Sequence, residues 1–119
     1  MKTFLTSILF FFSIGLQSPQ QPADKIIGIW SNEDGSVQNE IYKKGSVYEA
    51  KINKAIEFTG TVTMYKLTYA DKKWKGKAFQ PKKGYTANVT LSLLDDNTLL
   101  ITASKAGITK TKTWKRVNP

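Results

Sequence analysis

The carboxylates are the first residues in this chain whose types and spacing could carry chemistry. Adjacent acids occur twice, as Glu33-Asp34 and as Asp95-Asp96, and two close carboxylates can serve general acid–base catalysis. Both pairs stand beside glycine or asparagine, so turn formation accounts for them. The chain has no histidine, which is the commonest general base, and no cysteine. We therefore predict a protein that is not an enzyme and that holds no metal or other cofactor, since zinc sites are built mainly from those two residue types.

Glu40 and Tyr42 alternate along a predicted strand, so both side chains share one face. If that face points inward, the carboxylate needs a cationic partner or a ligand, because an unpaired buried charge is costly. If it points outward, Glu40 is an ordinary surface residue. With two further aromatic residues, Tyr65 and Trp74, this pair forms our predicted ligand-binding set. A hydrolase with a serine nucleophile and a lysine base remains open, although no motif supports it.

The charge balance favours anionic partners. The chain has 18 basic and 9 acidic residues, for a net charge of +9. Such a field attracts lipid head groups, acidic glycans or nucleic acid. Lysines at turns and at alternate strand positions also keep a sheet surface soluble and strand edges unattractive to other strands. Nucleic acid is not expected as a partner, because the N-terminal segment predicts export.

The N-terminal segment has the order of a secretory signal peptide. A basic start, Met1–Thr3, precedes an apolar run, Phe4–Leu16, and then small and polar residues up to Ala23. We assign residues 1–23 to this signal, with cleavage between Ser18 and Asp24. The apolar run is shorter than the ~20 residues of a membrane-spanning helix, so no span is expected in the mature form. We expect a periplasmic or extracellular protein.

Residues 24–119 alternate between polar and apolar side chains in short runs broken by Gly, Asn, Asp and Pro, which is typical of an all-β domain. About eight strands are joined in chain order by short turns. This arrangement favours an antiparallel up-and-down β-barrel, with a two-sheet sandwich as the alternative. In the predicted first strand, Gly28 allows close approach and Trp30 can plug one end of the barrel. Arg116, from the last strand, could close over that tryptophan, a contact worth ~0.5–2 kcal/mol.

Several short motifs occur in an order that resembles one bacterial secreted family, domain of unknown function 2147. The matching pieces are Ile27-Gly28-Ile29-Trp30 with Glu33-Asp34-Gly35, Glu40 to Gly45, Lys73 to Lys77, Tyr85 to Leu91 and Thr111 to Val117. That family has no established activity to carry over. Its usual Tyr-Asp-Pro reads Phe79-Gln80-Pro81 here, so no role of the aspartate is carried onto Gln80. The Gly-x-Trp start and terminal arginine also resemble lipocalin-like (calycin) barrels, which implies that Arg116 covers Trp30.

These observations lead to two functional hypotheses from different classes. The first is an exported, monomeric barrel that binds a small or acidic ligand or a component of the cell envelope. The alternative is an interaction or adhesion module with a filled interior, which works through its basic outer surface. An open interior distinguishes the first hypothesis from the second.

Overall fold

The computed structural model describes residues 22–117 as a closed barrel of eight strands in chain order. Every strand pairs antiparallel with the next, and β8 closes the barrel against β1. A 3₁₀ helix, Pro22–Ile26, is followed by β1 (Gly28–Ser31), β2 (Gln38–Lys44), β3 (Val47–Lys54), β4 (Val62–Ala70), β5 (Lys73–Gln80), β6 (Tyr85–Asp95), β7 (Thr98–Lys105) and β8 (Ile108–Arg116). The predicted up-and-down barrel is confirmed, and the sandwich alternative is wrong.

Residues 1–21 of the predicted signal peptide lie outside the described residues. Pro22 and Ala23, which the sequence-based boundary places in that signal, belong to the 3₁₀ helix. No helix within residues 22–117 is long and apolar enough to cross a membrane.

The alternation of side chains along each strand fills the barrel. In β6, Val89 and Leu91 are buried, whereas Asn88 and Thr90 on the other face are more exposed. The same period of two places most of the large apolar residues of the other strands inside. Different turns form the two ends of the barrel. The turns β2–β3, β4–β5 and β6–β7 lie at the end where the 3₁₀ helix sits. The turns β1–β2, β3–β4, β5–β6 and β7–β8 surround the other end.

A bulge interrupts the alternation in β4. The register with β5 shifts between Tyr65 and Thr68, and Lys66 takes a positive φ of 56°. An extra residue in one strand resets which side chains point inward. Met64 and Leu67 are therefore both buried although they are three residues apart. Tyr65 and Leu67, which a strict period of two would place on one face, therefore lie on opposite faces.

Candidate functional site

The 3₁₀ helix closes one end of the barrel. Its residue Ile26 is fully buried, and the Ile26 carbonyl accepts a 3.0 Å hydrogen bond from the indole N–H of Trp30. The Ala23 carbonyl accepts a 3.1 Å bond from the indole N–H of Trp74. The Tyr48 hydroxyl donates to the Asp24 carboxylate, and burial together with this bond raises the pKa of Tyr48 to about 12. This end is thus filled by side chains whose polar groups are paired.

Arg116 completes the closure. The carbon of its guanidinium lies 4.3 Å from the ring centroid of Trp30, so the cation covers the indole. Its three nitrogens donate to backbone carbonyls of Lys25, Ile27 and Asp96 at 2.7, 2.9 and 2.9 Å. One side chain from the last strand therefore ties the segment before β1 to the β6–β7 turn.

Gly28 is the residue that allows this contact. A Cβ atom at position 28 would lie 2.6 Å from Nη1 of Arg116, and the φ of Gly28 is +147°. Side chains of L-residues rarely adopt such a backbone conformation. The structure thus places Gly28, Trp30 and Arg116 together, as the sequence-based closure describes.

The opposite end of the barrel holds a cavity of about 660 Å³ that opens between the four turns there. This volume lies within the ~300–1,000 Å³ of typical ligand sites. Its floor and walls are mainly apolar and include Ile52, Met64, Ala78, Val89, Ile101 and Trp114. The Thr63 hydroxyl, in the same wall, donates a 2.8 Å hydrogen bond to the buried Asn39 side-chain oxygen. The half of the barrel at this open end is therefore hollow, and the half at the closed end is filled by side chains.

Trp114 differs from the other two tryptophans. The indole N–H groups of Trp30 and Trp74 are bonded to carbonyls of the 3₁₀ helix. Only 4% of Trp114 is exposed. Its indole N–H is buried and finds no acceptor in residues 22–117. A buried donor without an acceptor is rare in native proteins and calls for an explanation. Trp114 also lines the cavity, so this unpaired donor belongs to a side chain in the cavity wall.

Lys112 lies two residues before Trp114 and shares its face of β8. The Lys112 ammonium is 5.7 Å from the centroid of the Trp114 ring. Part of the lysine side chain is exposed, yet desolvation by the barrel wall lowers the pKa of Lys112 from its ordinary value of 10.5. The Glu33 carboxylate acts in the opposite direction. A desolvated ammonium beside a cavity favours an anionic occupant.

The residues lining the cavity carry a net positive charge. The lysines among them are Lys82, Lys83, Lys110 and Lys112, and Glu57 is the one acid. They stand on the β5–β6 turn, on β8 and on the β3–β4 turn, around an apolar floor. The arrangement suits a molecule with an apolar body and an acidic group.

The structure corrects the predicted ligand-binding set. Glu40 and Tyr42 face outward, because Asn39 and Ile41 occupy the inner face of β2. The Tyr42 hydroxyl donates a 2.7 Å bond to Glu49 on the outer surface. Partial burial and this carboxylate raise the pKa of Tyr42 to about 12. Neither side chain lines the cavity, and the outward alternative for Glu40 is the one that the structure shows.

The other two predicted residues also lie away from the cavity. Tyr65 is opposite Lys77 in the β4–β5 ladder, on the outer face, because its neighbour Met64 points inward. Trp74 is buried near the closed end, where it packs against Tyr69 with ring centroids 4.7 Å apart. The buried aromatic residue that lines the cavity is Trp114, which is not among the predicted ligand-binding residues. The alternation Lys110, Lys112, Trp114 along β8 was the available signal.

The described residues contain no cluster of three or more His, Cys, Asp or Glu side chains that could hold a metal ion. The adjacent acids Glu33-Asp34 and Asp95-Asp96 lie at turns, as expected. Within their own turns, Asp34 accepts a 2.9 Å bond from the Ser36 amide, and Asp95 accepts a 2.8 Å bond from the Asn97 amide. Hydrogen bonding from the Ser36 side chain, and then from its amide, lowers the pKa of Asp34, and the bond from the Asn97 amide is the main cause of the lowered pKa of Asp95.

Two comparisons with known proteins bear on this geometry. Residues 28–116 match the family described as an uncharacterized protein conserved in bacteria, DUF2147. The fold is similar to HP1028 from the human pathogen Helicobacter pylori, which is described as belonging to the lipocalin family. That similarity has a TM-score of 0.65 and 19% sequence identity, and it covers 78% of this chain and 83% of that chain. No curated protein matches the sequence. At this identity the similarity establishes a lipocalin-like fold.

Proposed function

The chain belongs to the DUF2147 family of bacterial proteins, and on that premise we propose that it is a non-enzymatic binding protein for a small acidic amphiphile. The ligand enters the open end of the barrel, its apolar part fills the cavity, and its acidic group meets Lys112 and Trp114. The observation that carries this proposal is the buried indole N–H of Trp114, which lacks an acceptor beside a cavity of about 660 Å³.

The shape of the interior supports an apolar ligand body. The cavity floor consists of side chains that are almost fully buried, among them Met64, Val89 and Ile101. Apolar ligand surface placed against them leaves water, which contributes ~25 cal/mol per Å². The opposite end is closed by Ile26 and Trp30, so the ligand enters and leaves through the same opening.

The polar groups support an acidic end on that ligand. A carboxylate or phosphate group can pair with the Lys112 ammonium, and one of its oxygens can accept from the indole N–H of Trp114 once that ring turns towards the cavity. Such charge-assisted hydrogen bonds are roughly twice as strong as neutral ones. The four lysines that line the cavity give the mouth a field that favours anions.

We also propose that the protein works outside the cytoplasm, in the periplasm or beyond it. The support is the order of residues at the N-terminus, where a basic start, an apolar run and small residues follow one another. In those compartments an amphiphile from the cell envelope is a ready source of ligand.

A matched pair of ligands tests the proposal. We expect dodecanoate to displace a fluorescent fatty acid from the purified protein, and dodecanol, which has the same chain, to displace it at least about tenfold less well. Ala103→Phe fills the cavity and should abolish displacement by either compound, because Ala103 lines the wall. Thr102→Phe, on the outer face of the same strand, is the control and should bind like the wild type. Equal affinity for the acid and the alcohol, or full binding by Ala103→Phe, would contradict the proposed site.

The pH dependence of binding gives a second prediction. A carboxylate ligand stays ionised in alkaline solution, whereas Lys112 loses its proton at a pH below the ordinary 10.5. We therefore expect the affinity for dodecanoate to fall as the pH rises through this lowered pKa. Lys112→Met should bind about tenfold more weakly near neutral pH and lose this pH dependence. Titration by isothermal calorimetry at several pH values measures both effects.

The control for this prediction is Lys75→Met, which removes an exposed lysine from the outer face of β5. It should leave both the affinity and its pH dependence unchanged. Tyr42 and Tyr48 do not interfere, since their pKa values are raised to about 12. A Lys112→Met protein that keeps the wild-type pH profile would remove Lys112 from the site.

The alternative function, an interaction module with a filled barrel, has less support. The cavity of about 660 Å³ weighs against a filled interior.

A further inference from the structure

The exposed large apolar residues gather at the open end of the barrel. Five of them stand on or beside its turns: Ile56, Phe58, Val62, Tyr85 and Ile108. Two others, Ile27 and Leu94, lie towards the closed end. Single exposed apolar side chains are ordinary on a protein surface, whereas a group at one end is a sign of an interaction site.

The β3–β4 turn, residues 55–61, presents the most exposed of these side chains. Ile56 is 99% exposed, and Phe58 takes a positive φ of 65°. The turn is fixed by backbone hydrogen bonds from Gly60 to Ile52 at 2.8 Å and from Thr61 to Phe58 at 3.0 Å. Ile56 is therefore held out in solvent by an ordered turn.

Lysines surround these apolar side chains. We define the rim as turns 55–61, 81–84 and 106–107 with the strand ends beside them. Its charged residues are Lys54, Lys82, Lys83, Lys105, Lys110 and Glu57. Lys105 lies with its ammonium 5.2 Å from the ring centroid of Tyr85. The remaining turn at this end, β1–β2, carries the acids Glu33 and Asp34 and is not part of the rim.

We propose that the rim is a membrane-docking surface for a bilayer that contains anionic lipid. Ile56, Phe58 and Ile108 enter the interfacial layer, and the rim lysines contact lipid phosphates. Apolar side chains with basic neighbours are the composition that binds such interfaces. The apolar residues project from separate turns around a hollow mouth, so they offer a protein partner no flat patch, whereas fluid lipid accommodates each of them. Ile56, Phe58, Lys82 and Lys83 also border the cavity mouth, so the rim and the proposed ligand site share residues, but vesicle binding can be measured without any added ligand.

Co-sedimentation with vesicles tests the proposal. We expect the purified protein to bind phosphatidylcholine vesicles that contain phosphatidylglycerol, and to bind pure phosphatidylcholine vesicles much more weakly. Binding should weaken as salt is added, because the lysines act through a screened field. Lys82→Gln with Lys83→Gln should lower the partition coefficient about thirtyfold. Ile56→Ser should lower it about tenfold.

Two matched variants at the closed end serve as controls. Lys72→Gln with Lys73→Gln removes the same charge from the β4–β5 turn, and Leu94→Ser removes an exposed apolar side chain from the end of β6. Both should partition like the wild type, and thermal unfolding should show that all four variants are folded. If the variants at the two ends lose vesicle binding equally, the binding reflects net charge or non-specific hydrophobic adsorption, and the proposal is overturned. Binding that Ile56→Ser leaves unchanged, or absence of vesicle binding at low ionic strength, would also overturn it.

Discussion

Replacing Trp30 with alanine should lower the free energy of unfolding by about 3–5 kcal/mol, the range for an aromatic residue deleted from a core. Trp30 is fully buried, and its indole N–H is bonded to the Ile26 carbonyl. Its ring also supports the Arg116 guanidinium. The substitution therefore leaves a cavity, an unpaired carbonyl and an unsupported cation at the closed end. Equilibrium unfolding in urea measures the change.

The control is Tyr85→Ala, which removes an aromatic side chain that is 38% exposed at the other end of the barrel. It should change stability by about 1 kcal/mol or less. A Trp30→Ala protein that unfolds at the same urea concentration as the wild type would show that the tryptophan is not the plug of this barrel.

Replacing Arg116 with alanine should cost roughly 2–4 kcal/mol. The guanidinium makes three hydrogen bonds to backbone carbonyls, and a bond to a charged group contributes about 1.5–3 kcal/mol when it is taken alone. Arg116→Lys keeps the charge, but a lysine lacks the planar fork that reaches three carbonyls at once. We expect it to recover less than half of the loss in the same urea experiment.

Lys75→Ala is the control for this variant, since it removes a cation from the exposed outer face of β5. Its stability should stay within about 0.5 kcal/mol of the wild type. Full stability of Arg116→Lys would mean that charge alone, and not the pattern of carbonyl contacts, closes the barrel.

The barrel and its closure could be predicted because their signals are local or chemically specific. Turn residues at short intervals marked out eight strands, and a closed meander of eight is the arrangement that leaves no free edge. A tryptophan and an arginine can form a cation–π contact, and Trp30 and Arg116 lie near the two ends of the domain in the sequence. The order of short motifs also indicated the family.

The inward faces of β2 and β4 could not be predicted, because they depend on distant contacts. Asn39 is a polar residue on the inner face, and its burial is made acceptable by a bond from Thr63, 24 residues away. That contact involves a part of β4 where the register is irregular, and the bulge at Lys66 lets Leu67 point inward although Tyr65 points outward. Period-two alternation identifies two faces of a strand, and it cannot count a residue that a bulge inserts.

The position of the cavity was missed for a related reason. Sequence alternation shows that Lys112 and Trp114 share a face, but it does not show that one half of the barrel is filled while the other is hollow. The filling comes from the 3₁₀ helix, where Ile26 and the carbonyl of Ala23 occupy the closed end. With that end filled, Trp74 becomes a core residue and Trp114 becomes a wall residue.

The central claim, that a ligand occupies the open end beside Trp114, is tested most directly by the indole N–H signals in a nitrogen–proton NMR spectrum. The protein has three tryptophans, and a Trp114→Phe variant identifies the Trp114 signal. On addition of dodecanoate we predict a downfield shift of the Trp114 indole proton as it gains an acceptor, while the Trp30 and Trp74 signals stay in place. A bound ligand that moves the Trp30 or Trp74 signal and leaves Trp114 unchanged would contradict the account.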